Sequence, residues 1–273
     1  MKRHLSVFEL TARGAVYKTL AVSLIAAAAA FALMYAIPGT AENLSDYFSG
    51  QYYSEPAGTT VKTGAAWAKY VYTAGMFVLY VLLSRVGAPK KGVNPDYTFR
   101  RLRISERKAA CIQAGVHALC FAVYTAMLLA AYVGFSAIFL SRSLPYENDG
   151  QSLFFAAYTT LPLRRLLPLS EWFQWAALVV TCLAGGVGSV TISFWKRRDR
   201  ISVVGVAVGI ILILSNLFKY NDAGLYMILI ACELLLVSGG LFGSLNDNTA
   251  DEREVEEAED SQCEEGGGAN ASA

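Results

Sequence analysis

The sequence predicts an all-α integral membrane protein: a six-helix transmembrane bundle with both termini cytoplasmic, an outer re-entrant or interfacial element and a disordered acidic C-terminal tail. Three observations predict it. The 273-residue chain is 55% hydrophobic and only 16% charged, with a mean hydropathy of +0.39, whereas soluble domains carry roughly 25% charge. Its apolar runs approach the ~20 helical residues that a ~30 Å hydrocarbon core demands. Finally, the charges are segregated: ten of the 22 acidic residues fall between Asp247 and Glu265, while basic residues gather in short blocks upstream, an asymmetry that the net charge of +1 conceals.

Residues 1–17, with Leu5, Phe8, Ala12 and Ala15 or Val16 on one side, read as an amphipathic helix lying along the inner membrane surface. The membrane domain follows over 18–245, with spans near 19–37, 67–86, 111–140, 173–195, 201–218 and 223–242. The third is long enough to tilt or protrude. Tyr17, Trp67, Tyr70, Trp172 and Trp195 sit near predicted span ends, where amphipathic rings settle at headgroup level. A signal peptide cleaved after Ala41 fits less well, because the apolar run exceeds the usual 7–15 residues.

Orientation follows from lysine and arginine. With the N-terminus inside, seventeen of the 23 basic residues fall on the cytoplasmic side, including Arg85 to Lys108 and the Lys196-Arg197-Arg198 knot. That bias places the chain in the cell membrane with both termini cytoplasmic.

The stretch SLFFAAYTTLPLRRLLPLSEW (152–172) tests this topology. Were Leu153–Leu163 to cross, Arg164 and Arg165 would land inside and the next span would export the densest basic knot in the chain. Eleven helical residues also reach only ~16 Å. The segment therefore does not span. With Pro162 and Pro168 as bends and Phe154, Phe155 and Tyr158 on one face, Gln151–Leu169 reads as a re-entrant or interfacial element, or as an outer loop packed on the bundle.

Two cytoplasmic pieces stand out. In GAPKKGVNPDYTFRRLRISERKAAC (87–111), prolines and glycines keep the first half irregular, and Arg100, Arg101, Arg103, Arg107 and Lys108 crowd the second. Ser105 is placed to cap a helix entering the third span. The basic residues serve either as headgroup contacts or as a docking surface for a cytosolic partner; no nucleic-acid-binding fold accompanies them. Residues 246–273 are acidic, then Gly- and Ala-rich, and too poor in large apolar residues to fold. They form a solvating tail or a contact for a basic partner.

Ionisable groups inside a membrane are costly and mark functional hypotheses. Glu233, midway along the sixth span, is the first candidate for a substrate path or proton-coupled group, with a hydrogen-bonded structural glutamate as the plain alternative. His117 in the third span is a candidate partner; Asn216, Gln113 and the outer Arg164 and Arg165 are weaker members of such a path. Small residues four apart (Gly205 and Gly209, Gly239 and Gly243, Gly185 and Ser189) permit close helix approach within a bundle or a homo- or heterodimer. The five cysteines form no C-x-x-C pair, so neither a disulfide nor a metal is expected. No protease, hydrolase or P-loop motif occurs, and neither an enzyme nor a cofactor is expected.

Taken together, Lys2–Tyr17, Thr98–Ala110 and Gln151–Leu169 around six spans resemble the permease subunits of ABC-2-type exporters. The resemblance is one of architecture and implies an interfacial N-terminal helix, a cytosolic helix between spans two and three that docks on a separate ATPase, and re-entrant outer elements. It implies that the ATPase partner supplies the energy and this chain the membrane path. In that family the re-entrant elements precede the last span, whereas here they precede the fourth. An accessory membrane protein of such a system is the neighbouring expectation. Two further readings are a scaffold or regulator acting through the acidic tail, and a proton-coupled carrier using Glu233.

Overall fold

The protein is described by a computed structural model covering residues 2–37, 47–48, 51–54, 59–86, 106–142, 151, 154, 166, 172–197, 202–217, 224 and 227–240. Six helices organise it: α1 (Lys2–Ala36), α2 (Gly64–Ser84), α3 (Glu106–Arg142), α4 (Trp172–Arg197), α5 (Val203–Leu217) and α6 (Met227–Gly240). Four carry segments long and apolar enough to cross a membrane: Thr11–Ala36, Gly64–Ser84, Lys108–Ser141 and Trp172–Lys196. The apolar segments of α5 and α6 are shorter, Val203–Ser215 and Met227–Gly240.

Local chemistry explains several ends. Helix α1 stops just before the Ile37-Pro38 pair, since proline disfavours helical geometry in the residue preceding it. Ser202 caps α5, its Oγ accepting from Gly205 N at 3.0 Å. Thr63 precedes α2 in an extended conformation without a side-chain cap. Its hydroxyl donates instead to Tyr47 O at 2.8 Å, tying a distant loop to the helix start.

One expectation changes. Residues 1–17 form no separate leader: one uninterrupted 35-residue helix runs from Lys2 to Ala36. Neither proline nor glycine occurs between Ala15 and Ala36, so nothing breaks helical geometry at the predicted turn. The helical class holds, with one small addition in a connection. Between α1 and α2, β1 (Gln51–Ser54) pairs antiparallel with β2 (Thr59–Lys62), in the register Gln51↔Lys62 to Ser54↔Thr59.

Each helix runs antiparallel to the one before it. Gly64, at the start of α2, lies against Leu33 and Met34 near the end of α1, while Lys18 Nζ donates to Leu82 O at 3.5 Å. Gln113 Nε2 donates to Val86 O at 2.9 Å, and Tyr124 hydroxyl to Tyr72 O at 2.8 Å, so α3 reverses α2. Gly186 meets Ala114 and Ala118, Gly205 meets Ile192, and Gly240 meets Thr191, which carries the alternation through α6. The start of α1 and the end of α6 therefore share one end of the bundle with Arg85, Lys108 and Lys196, which are exposed.

In cross-section α1 packs on α2 and α3, α3 on α4, and α4 on α5. Helix α2 closes the ring against α4 and α5. The core is built from Met76, Leu79, Phe121, Tyr124, Leu128 and Leu212, among others. Large apolar side chains cover the outside instead of charge: Leu24, Ile25, Leu119 and Leu235 are 63%, 68%, 61% and 70% exposed. A soluble surface does not carry such a coat. In lipid it costs nothing, and cohesion comes from close packing and interhelical hydrogen bonds.

Candidate functional site

Helix α4 is the hub of the buried polar groups. Its sequence TCLAGGVGSV (181–190) alternates hydroxyls with side chains of almost no volume, and Ala184 to Val190 are all buried. Missing side chains let neighbours come close. A Cβ on Gly186 would stand 2.6 Å from Ala114 O on α3, and one on Gly188 would stand 2.7 Å from the Tyr80 hydroxyl on α2. Tyr80 reaches past that glycine and donates to Gly205 O of α5 at 2.5 Å.

His117 on α3 is 0% exposed and faces α4, where its Nδ1 lies 2.7 Å from Ser189 Oγ. Ser189 Oγ also lies 2.8 Å from Gly186 O, one turn back. The other ring nitrogen, Nε2, has no hydrogen-bond partner among the described residues. Glu233 on α6 is 3% exposed, and its carboxylate oxygens accept from the Thr181 hydroxyl of α4 at 3.0 and 3.4 Å. No other hydrogen-bond partner of this carboxylate occurs among the described residues. Helices α3, α4 and α6 meet where Ala110 and Val237 pack on Ala114, Val187 and Val190.

The two candidates foreseen as partners therefore do not pair. His117 takes Ser189 and Glu233 takes Thr181, eight residues apart on α4, or ~12 Å along its axis. Gln113 serves structure, holding the carbonyl at the end of α2. Asn216 lies on α5, though its side chain is outside the described residues; Arg107 is likewise placed only as part of α3. Lys108 is exposed at the start of α3. Arg100, Arg101, Arg103, Arg164, Arg165, Ser105, the tail and nearly all of 151–169 fall outside the described residues; from the last segment Leu166 is buried in the core and Phe154 is exposed. Among the described residues no cluster of three His, Cys, Asp or Glu stands ready for a metal ion.

A second buried construction, at the opposite end from the basic residues, was invisible in the sequence pattern. Tyr47, fully buried, donates from its hydroxyl to Met34 O at 2.7 Å and to Ile37 O at 3.2 Å, satisfying carbonyls that the end of α1 leaves open. Its ring stacks on Phe135 at 5.1 Å and meets Phe139 at 5.7 Å, while Phe48 packs on Tyr132. One loop residue thus clasps α1, α2 and α3. Burial pushes the Tyr47 phenol above its ordinary range, with Tyr132 adding to the shift. Only the Tyr47-Phe48 pair, in a mostly polar connection, hinted at this role.

No protein-family model, curated protein or solved structure matches this chain.

Proposed function

We propose that the chain is the membrane component of a transport system in the cell membrane, with a solute path running beside α4 and both termini cytoplasmic. The observation that carries the reading is Glu233. A carboxylate buried among apolar helices, held by one hydroxyl and given no basic hydrogen-bond partner among the described residues, is costly to keep for packing alone. A path that uses it accounts for that cost. The orientation is supported by the basic residues gathered where the helix ends coincide.

The test uses currents from proteoliposomes adsorbed on a solid-supported membrane and exposed to a panel of cationic, neutral and anionic solutes. Solute-dependent current in the parent and its loss in Glu233→Gln support the reading. An undiminished current in Glu233→Gln removes Glu233 from the path.

The energy source divides two forms of the proposal. In the form implied by the ABC-2-type resemblance, a cytosolic ATPase docks on Arg100, Arg101, Arg103, Arg107 and Lys108. Reversing charge at Arg100, Arg101 and Arg103 then abolishes co-purification with an ATPase while membrane insertion persists; unchanged co-purification ends the docking role. In the second form, favoured by the lack of a basic partner for Glu233, proton binding at this carboxylate drives the flux. Current that ignores an imposed pH gradient eliminates that form.

A further inference from the structure

Hydrogen-bonding capacity inside the bundle is lopsided. One hydroxyl carries one proton, yet Ser189 Oγ touches two groups, Gly186 O at 2.8 Å and His117 Nδ1 at 2.7 Å. Both contacts are satisfied together only when the serine proton goes to Gly186 O and Nδ1–H donates to the serine oxygen. The neutral ring then carries its proton on Nδ1 and a bare lone pair on Nε2. That lone pair belongs to a fully buried side chain and meets no donor.

Glu233 repeats the imbalance. Its two oxygens share a single donor, the Thr181 hydroxyl, whereas a carboxylate has about four acceptor sites. Described hydroxyls elsewhere in the bundle are spent. The hydroxyls of Thr19, Ser23, Tyr80, Tyr124, Thr191 and Ser193 each donate to a backbone carbonyl. Among the described residues, unfilled acceptor capacity gathers at two stations on either flank of α4.

From this we infer that the path selects solutes whose polar group is both cationic and an N–H donor, the protonated-amine class; the inference rests on the transport reading above. The two stations divide the selection. Glu233 supplies the preference for positive charge. His117 supplies the requirement for a hydrogen to donate, since Nε2 offers a lone pair and no charge. Among the described hydroxyls an anion finds no unspent donor at either station. A quaternary ammonium satisfies Glu233 by charge but leaves Nε2 unfilled. Because the stations lie ~12 Å apart along α4, a small amine engages them in turn.

The test uses the full chain in lipid bilayers, labelled with 15N-histidine; His4→Gln separates the two histidine signals. Three probes share one ring and differ in the group that matters: benzylammonium, benzyltrimethylammonium and benzoate. In the free protein His117 Nε2 is expected to be unprotonated, and benzylammonium alone shifts its resonance saturably. A protonated Nε2 at the outset, or an equal response to benzoate, overturns the inference. Currents over those of protein-free vesicles give the second arm. Benzylammonium current at subsaturating concentration falls about tenfold or more in Glu233→Gln, the effect of losing a charge-assisted hydrogen bond; an unchanged current overturns the inference. Current with benzoate but not with benzylammonium overturns the amine class and leaves transport standing. A saturable benzylammonium shift without current for any solute upholds the amine site and overturns the transport reading.

Discussion

Substituting alanine at Gly186 and at Gly115 should have opposite effects on stability. At Gly186 an added Cβ would lie 2.6 Å from Ala114 O, 2.9 Å from Ala118 N and 3.1 Å from Ala118 Cβ. Two of those three are backbone atoms of α3 and cannot rotate away, so α3 must move off α4. Overpacking of this kind costs about 1–3 kcal/mol. The movement also loosens the 2.7 Å contact between His117 and Ser189, worth about 1 kcal/mol. Relief of glycine's conformational entropy returns only about 0.5–1 kcal/mol. The net expectation for Gly186→Ala is a loss of about 1–3 kcal/mol. Gly115, on α3 itself, has nothing within 4 Å of its added Cβ. Gly115→Ala should therefore keep the entropic gain and stabilise by about 0.5–1 kcal/mol. Unfolding by SDS in mixed micelles, followed by far-UV circular dichroism, measures both. Equal stability of Gly186→Ala and the parent, or similar losses at both positions, would refute the close α3–α4 packing.

Removing the Tyr47 hydroxyl with Tyr47→Phe should cost about 1–3 kcal/mol in the same assay, because Met34 O loses this donor and Ile37 O keeps only Gly64 N at 3.3 Å, while the ring contacts stay. The raised phenol of Tyr47 adds a pH signature: its contribution is whole below the unfolded value near 10 and is lost as pH rises toward the folded value, so the alkaline loss of stability should shrink in the variant. Tyr80→Phe should speed amide hydrogen exchange in α5 and spare α1, since the hydroxyl ties α2 to Gly205 at the start of α5.

Helix placement was the legible part of this chain. Apolar runs of near-bilayer length put a helix on each of the six predicted segments, because in lipid every backbone group must be paired within its own segment. The rotation of each helix was not legible. Periodicity marks Glu233 as an intruder in an apolar span, but its partner depends on which face of α6 meets α4, and that is decided by packing across 52 residues. The same holds for the glycines. Gly205 and Gly185 are tight, with an added Cβ meeting Ile192 and Phe121, whereas Gly239 faces open space and its neighbour Gly240 makes the contact. Spacing alone treats them alike. Tyr47 escaped for a different reason: its role joins a loop to helix ends 10 and 13 residues earlier, and no local pattern records such a closure.

The arrangement around α4 explains why its smallness and the polar groups occur together. In hydrocarbon a buried ionisable side chain cannot rely on water, so it must reach a hydroxyl or carbonyl on a neighbouring helix. Reaching requires backbones close enough for short side chains such as serine and threonine to meet it. Gly185 and Gly186 bring α3 that close, and Ser189 lies one turn on from Gly186, where it meets His117. Gly240 does the same between α6 and the Thr191 face of α4, two turns from Glu233. A larger residue at either contact separates helices first and polar pairs second. Loss of the His117 and Glu233 contacts should therefore accompany loss of packing at Gly186 and Gly240. Conversely, Thr181→Val should remove the Glu233 donor while leaving the bundle assembled, which separates the chemistry of the path from the architecture that holds it.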